Sequence, residues 1–239
     1  MQNPIIEWRR LNQQGQPQPY STIFNDVYYS SDNGLLETDY VFLQGNHLKQ
    51  RWQMLSSNSF TIIETGFGTG LNFLCAAQLW LQIAPQNALL HFISTEKYPL
   101  SLQDMTAALQ AWPELNHLSQ PLLAQYEAAH KQSIQLFDDR VRLRLLIGDA
   151  TDTLSITTTS ADAWFLDGFS PAKNPDMWQP ALFAQMARLS TNSTTFATFT
   201  SAGMVRRGLQ TSGFQVNKQT GFGKKREMLN GRFINESKA

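Results

Sequence analysis

The chain lacks most of what would tie it to an unusual environment. It has one cysteine, Cys75, which excludes an internal disulfide and suits a reducing compartment. It has no net charge, with 19 basic residues against 19 acidic ones. Bulk electrostatics therefore predict neither a nucleic acid nor a membrane as partner, and any polyanion site must be a local patch. No apolar run approaches the ~18 residues that a membrane helix needs, and the opening MQNPIIEWRR has no apolar signal core. A soluble, cytoplasmic protein is expected. His117 and His130 have no partners at ligand spacing, so no metal site is expected. What is present suffices for a core: 239 residues, 42% hydrophobic, with 15 Phe and 6 Trp. That length suits one α/β domain with a small appendage.

The most informative stretch is FTIIETGFGTGLNF, residues 60–73. It reads as a buried strand, a glycine-rich turn and a helix start. Gly66, Gly68 and Gly70 recur at every second position, which lets backbone turn tightly and approach a ligand. The helix from Leu71 aims its first amides at the same place. Such a turn serves a nucleoside cofactor at the carboxyl edge of a parallel sheet. A dinucleotide fingerprint has the spacing G-x-G-x-x-G, whereas this turn is G-x-G-x-G with Glu64 before it. A carboxylate there repels a pyrophosphate and suits a ligand bearing an ammonium and a sulfonium, so S-adenosylmethionine is preferred over NAD.

Three further segments read as strands ending in an acid. LLHFISTE ends at Glu96, placed to accept both hydroxyls of an adenosine ribose, a feature that NAD enzymes share. VRLRLLIGDA ends at Asp149, suited to the adenine amine. WFLD ends at Asp167, in the loop DGFSPAKNPDMW, where a carboxylate can take a proton from a substrate amine. Phe169 and Lys173 lie in the same loop as candidate substrate contacts. Residues 101–139 read as helical. TTFATFTS reads as a fifth strand, and FQVNKQTGFGKKREMLNGRF as two strands flanking the loop Gly221–Glu227, a closing hairpin that methyltransferase sheets possess and NAD-binding folds lack. Arg206, Arg207, Lys218, Lys224, Lys225 and Arg226 gather late in the chain, as a local grip for phosphates. Phe222, between two glycines, is placed to stack on a base.

The first 58 residues read as a β-rich extension packed on a core domain of residues 59–239. Ile5–Trp8 reads as a strand, 12–19 as turns, and Tyr40–Leu43 with Leu48–Trp52 as a hairpin. Tyr28, Tyr29, Asn33 and Glu37 lie on a loop beside it, and Tyr28 and Asn33 are candidate cofactor contacts.

Five segments together, DVYYSSDNGLLETDYVFL, ETGFGTGLNF, WFLDGFSPAKNPDMW, ATFTSAGMVRRGL and GFGKKREML, resemble the methyltransferase half of the bacterial MnmC tRNA-modification family, called MnmD when it stands alone. The resemblance covers nearly the whole chain. It implies a class I, Rossmann-like sheet of seven mostly parallel strands with a terminal antiparallel hairpin. It also implies transfer of a methyl group from S-adenosylmethionine to 5-aminomethyl-2-thiouridine at the tRNA wobble position, with Asp167 beside the methyl donor. The family's FAD-dependent oxidoreductase half, which would supply the aminomethyl substrate, has no counterpart before Ala239. The expected partner is a tRNA anticodon arm, with that oxidoreductase as a possible second one. Methylation of another amine, or a nucleotide-binding oxidoreductase, are the alternatives left open by the residues themselves.

Overall fold

The computed structural model describes residues 6–10, 17–29 and 33–234. The turn-rich stretch 12–16 falls outside them. Three short strands open the chain: β1 (Ile6–Arg9), β2 (Gln18–Ser21) and β3 (Asp26–Val27) form an antiparallel sheet in that order. Helices follow where a hairpin was expected. α1 (Gly34–Thr38), a π-turn segment (Asp39–Gln44) and α2 (Leu48–Gln53) replace the strands read at Tyr40–Leu43 and Leu48–Trp52. Short apolar runs do not by themselves separate strand from helix. Here helical spacing turns Val41, Phe42, Leu48 and Trp52 into the main core. Asn33 starts the segment by accepting from the Leu36 amide at 3.0 Å, an N-cap bond.

The large sheet starts with β4 (Ser59–Thr65) and continues through β5 (Leu89–Glu96), β6 (Ile134–Leu136), β7 (Val141–Ile147), β8 (Ala161–Leu166), β9 (Ser190–Thr198), β10 (Phe214–Thr220) and β11 (Glu227–Phe233). Its spatial order is β10-β11-β9-β8-β4-β5-β7-β6, eight strands rather than seven. The extra one, β6, pairs antiparallel with β7 inside the stretch read as helical. Its buried–exposed–buried alternation is the period of a strand. The closing hairpin is as expected: β10 pairs with β11, and β11 lies antiparallel on β9.

Alternation in the central strands divides the core between two faces. Phe60, Ile62, Phe92, Leu143 and Phe165 face one side. There they meet α2, α3 (Leu71–Ile83), α4 (Leu102–Leu109) and α5 (Asn116–Ala129). Trp52 and Trp80 pack edge to face in this layer, 5.1 Å apart. Ile63, Ile93, Trp164 and Leu166 face the other side, against α6 (Ala150–Ser155), α7 (Pro180–Arg188) and α8 (Gly203–Thr211). Cys75 is buried in the first layer, where desolvation pushes its thiol up to about 12. No helix among the described residues is long and apolar enough to cross a membrane.

Candidate active site

The four parallel strands β8, β4, β5 and β7 are neighbours, so their carboxyl ends open on one edge. A pocket of about 600 Å³ occupies that edge. Gly66, Gly68 and Gly70 all have positive φ, at 77°, 54° and 73°, a region that side chains with a Cβ rarely adopt. At Gly66 a Cβ would also meet Gly168 Cα at 3.1 Å. The turn after β4 and the turn after β8 thus touch backbone to backbone. Gly66 and Gly68 line the pocket; Gly70 is not on its wall, and a Cβ there would meet the Met105 and Phe67 side chains.

Register sets the height of each acid. Thr65 pairs with Thr95 and with Leu166, so Glu96 and Asp167 stand level, one residue beyond Thr65. Both reach the pocket wall. Glu96 accepts from the Gly68 amide at 2.9 Å and the Tyr98 amide at 2.8 Å. Desolvation still raises its carboxyl above the usual range, against the pull of those amides. Asp149 lines the pocket too. It caps α6 through the Thr151 amide at 3.0 Å and pairs with Lys97 at 3.2 Å.

Glu64 departs from expectation. β4 does not end on it but runs on to Thr65, so Glu64 sits one step below the edge and is fully buried. It is not part of the pocket wall. Its oxygens accept from Asn72 at 3.0 Å and from Ser94 at 2.6 Å. Burial holds its carboxyl well above the usual range.

Asn72, in the first turn of α3, is the residue the sequence reading missed. Its Nδ2 donates to Glu64 and also to Asp167 Oδ2, at 2.7 Å, while its Oδ1 accepts from Thr38 at 2.8 Å. Asp167 is further tied by the Gly168 amide, which donates to Oδ1 at 2.8 Å. Desolvation pushes its carboxyl up to about 6 despite both donors. An amide side chain early in a helix after a glycine turn is the only signal that marks Asn72, and it has no distinctive spacing.

The first sheet closes the pocket from above. Phe24 stacks on Phe169 at 4.6 Å, and Tyr28 meets Phe169 edge-on at 5.1 Å. Asp26 accepts from Lys173 at 3.0 Å and from the Ser170 amide at 3.4 Å. Tyr28, Tyr29, Glu37, Phe169, Lys173 and Lys225 therefore all line the pocket. Several other candidates do not. Asn33 is an exposed helix cap and is not among the residues of the pocket wall. Phe222 packs against Tyr40 and the core, with centroids 6.0 Å apart. Arg207 folds back over Gly203 on α8, and Lys224 and Arg226 point to solvent beyond the pocket. Arg206 leaves a buried Nε without a partner, also off the wall.

Six carboxylates line the pocket: Asp26, Glu37, Glu96, Asp149, Asp167 and Asp176. The three lysines on its wall, Lys97, Lys173 and Lys225, are each already paired with an acid. The surplus negative charge suits a cationic occupant and disfavours a pyrophosphate. A glycine cradle, a bifunctional acid at Glu96 and this charge together fit S-adenosylmethionine.

Comparison with known proteins agrees. Over 98% of its length the chain is 53% identical to the tRNA 5-methylaminomethyl-2-thiouridine biosynthesis bifunctional protein MnmC of Methylobacillus flagellatus. It is 48% identical to the protein of the same name from a Marinomonas species. It spans only about a third of those relatives, 36% and 35% of their lengths. The crystal structure of MNMC2 from Aquifex aeolicus superposes with a TM-score of 0.76 over 96% of this chain and 71% of that one, at 22% identity, which establishes the shared fold. Residues 113–233 match the Methyltransf_30 family, described as S-adenosyl-L-methionine-dependent methyltransferase. With that match joined to the acidic, glycine-floored pocket, the chain belongs to the S-adenosyl-L-methionine-dependent methyltransferases.

Proposed function

We propose that this methyltransferase acts on the aminomethyl nitrogen of 5-aminomethyl-2-thiouridine at the tRNA wobble position, giving 5-methylaminomethyl-2-thiouridine. The observation that carries this reading is the 53% identity, over 98% of the chain, to a relative named for biosynthesis of that nucleoside. A pocket with surplus carboxylates is also consistent with an amine substrate.

When bound, S-adenosylmethionine supplies a methyl group activated by a positively charged sulfur. The remaining work falls to side chains of this chain. Glu96, with both oxygens held by amides, keeps lone pairs for the ribose hydroxyls. Asp149 would hold the adenine end, and the Gly66–Gly68 turn would hold the methionine end. Tyr28 and Phe169 shield the pocket from water. Asp167 accepts the proton that the amine must lose before its lone pair can attack. A primary alkylammonium is mostly protonated at neutral pH, so an acceptor at the reacting nitrogen is required. Glu64 acts from behind through Asn72, without touching either ligand.

The RNA partner is an anticodon arm, held by the exposed Lys224 and Arg226 of the β10–β11 loop and by Arg206 and Arg207 of α8. The aminomethyl group comes from an FAD-dependent oxidoreductase, in keeping with the word bifunctional in the relatives' names. Such a reaction belongs to the cytoplasm. Mass spectrometry of wobble nucleosides, after incubating aminomethyl-bearing tRNA with protein and S-adenosylmethionine, tests the reading. A gain of one methyl group at the wobble nucleoside is expected. An unchanged nucleoside, with methylation of small amines instead, would assign a different substrate.

A further inference from the structure

Lys225 occupies an unusual seat. Its ammonium lies 2.6 Å from Glu37 Oε1 and 4.5 Å above the centre of the Phe199 ring. The Glu37 side chain is only 14% exposed, whereas that of Lys225 is 45% exposed. The acid is built into the wall, and the cation reaches it from the rim. Glu37 is fixed by α1, whose first turn is capped by Asn33. Phe199 follows β9 and packs against both core layers. Lys225 comes from the β10–β11 loop, in which Gly223 has a φ of 58°. Carboxylate and aromatic face thus form a two-sided cation seat, and its present occupant is tethered to a glycine-containing loop.

The seat is next to the reacting centre. Both Glu37 and Lys225 line the same pocket as Asp167, and both act electrostatically on its carboxyl. Along the sheet edge the order is Phe199 after β9, Asp167 after β8, the glycine turn after β4, then Glu96 and Asp149. Strands lie ~4.8 Å apart, so Asp167 separates the seat from the acids assigned to the nucleoside of the cofactor. A cation held there approaches Asp167 from the substrate side.

We infer that Glu37 and Phe199 form the subsite that recognises the substrate's alkylammonium group, and that Lys225 fills this subsite until substrate displaces it. This rests on the proposed amine substrate and adds the residues that select an amine over a neutral group of the same size. A carboxylate contact of this kind discriminates by roughly tenfold or more, and the ring contributes further attraction. Displacement frees the Lys225 ammonium at the rim, within the same basic loop as Lys224 and Arg226.

The test compares two anticodon stem-loops, one carrying 5-aminomethyluridine and the other the isosteric, uncharged 5-hydroxymethyluridine. Affinities are measured with S-adenosylhomocysteine present, so that no turnover occurs. Wild-type protein is expected to prefer the amine by roughly tenfold. Glu37→Gln should bring the ratio close to one, Phe199→Leu should lower it about threefold, and Lys225→Met, which removes the competing ammonium, should raise it. Affinity for S-adenosylmethionine should be unaltered in Glu37→Gln, which also verifies its folding. A preserved ratio in Glu37→Gln, a ratio that does not rise in Lys225→Met, or weakened cofactor binding in Glu37→Gln overturns the inference. Wild-type protein that leaves aminomethyl tRNA unmethylated instead overturns the functional reading beneath it.

Discussion

At the scale of single residues, the site turns on how two buried carboxyls are held. Desolvation pushes the Asp167 carboxyl up to about 6 from the ordinary 3.8. As the proposed proton acceptor it must be ionised, so kcat/KM is expected to fall as pH drops through about 6, as a pH–rate profile would reveal. The stability effect has the opposite sign. The folded state binds this proton more tightly than the unfolded chain, so the stabilisation present below pH ~4 is lost as pH rises through ~6. Asp167→Asn removes the ionisable carboxyl, so this pH dependence of stability should disappear in the variant, as urea unfolding at pH 4 and pH 7 would register. Its turnover should fall at least ~100-fold, with cofactor affinity nearly unchanged by calorimetry. Asn72 belongs to the same scale. Asn72→Ala strips donors from Glu64 and Asp167 and an acceptor from Thr38. Urea unfolding should register a loss of about 2–4 kcal/mol, with the acid limb of the pH profile displaced. Normal stability and an unmoved profile would deny Asn72 its linking role.

Among elements, two turns and one small sheet define the pocket. The β4 turn meets the β8 turn at Gly66 and Gly168, where a Cβ would come within 3.1 Å of Gly168 Cα and force the turns to give. Gly66→Ala incurs about 1–2 kcal/mol of left-handed strain and pushes the two turns apart. Cofactor affinity is expected to drop at least tenfold, and an unaffected dissociation constant would contradict the cradle. The first sheet acts as a clasp on the loop of residues 168–178, through Phe24 on Phe169 and Asp26 on Lys173 and Ser170. Phe24→Ala removes an aromatic pair worth about 0.5–1.5 kcal/mol. Faster proteolytic cleavage within residues 168–178 is the expected consequence, while the global unfolding midpoint moves little.

For the molecule as a whole, zero net charge means that attraction to the proposed RNA partner must come from few cations. If Arg206, Arg207, Lys224 and Arg226 each neutralise one phosphate, log affinity should fall with log salt at a slope of about −3.6. Replacing Lys224 and Arg226 together by Glu should reduce the slope by about two. A slope near zero in wild-type protein would place the RNA contact elsewhere. The helical region 34–53 is inside the main core through Val41, Phe42, Leu48 and Trp52. It is therefore expected to unfold with the large sheet in one transition, which coincident fluorescence and circular dichroism curves would establish.

Much of this was legible from residues alone. The β4–turn–α3 unit, the acids Glu96, Asp149 and Asp167 and the closing hairpin rest on local pattern: apolar runs, glycine spacing and strand-end carboxylates. Local chemistry dictates these, so the sequence determines them without long-range information. Tertiary structure alone decided the rest. Strand register lowered Glu64 by one step and buried it, and thereby made Asn72 the link to Asp167. Core packing made helices of residues 34–53, because an apolar run of that length satisfies either periodicity until a neighbour selects one face. Chain crossings brought Asp26 to Lys173 and Glu37 to Lys225, 147 and 188 residues apart. Such pairs leave no trace in one sequence, since their geometry exists only once the sheet has closed beneath them.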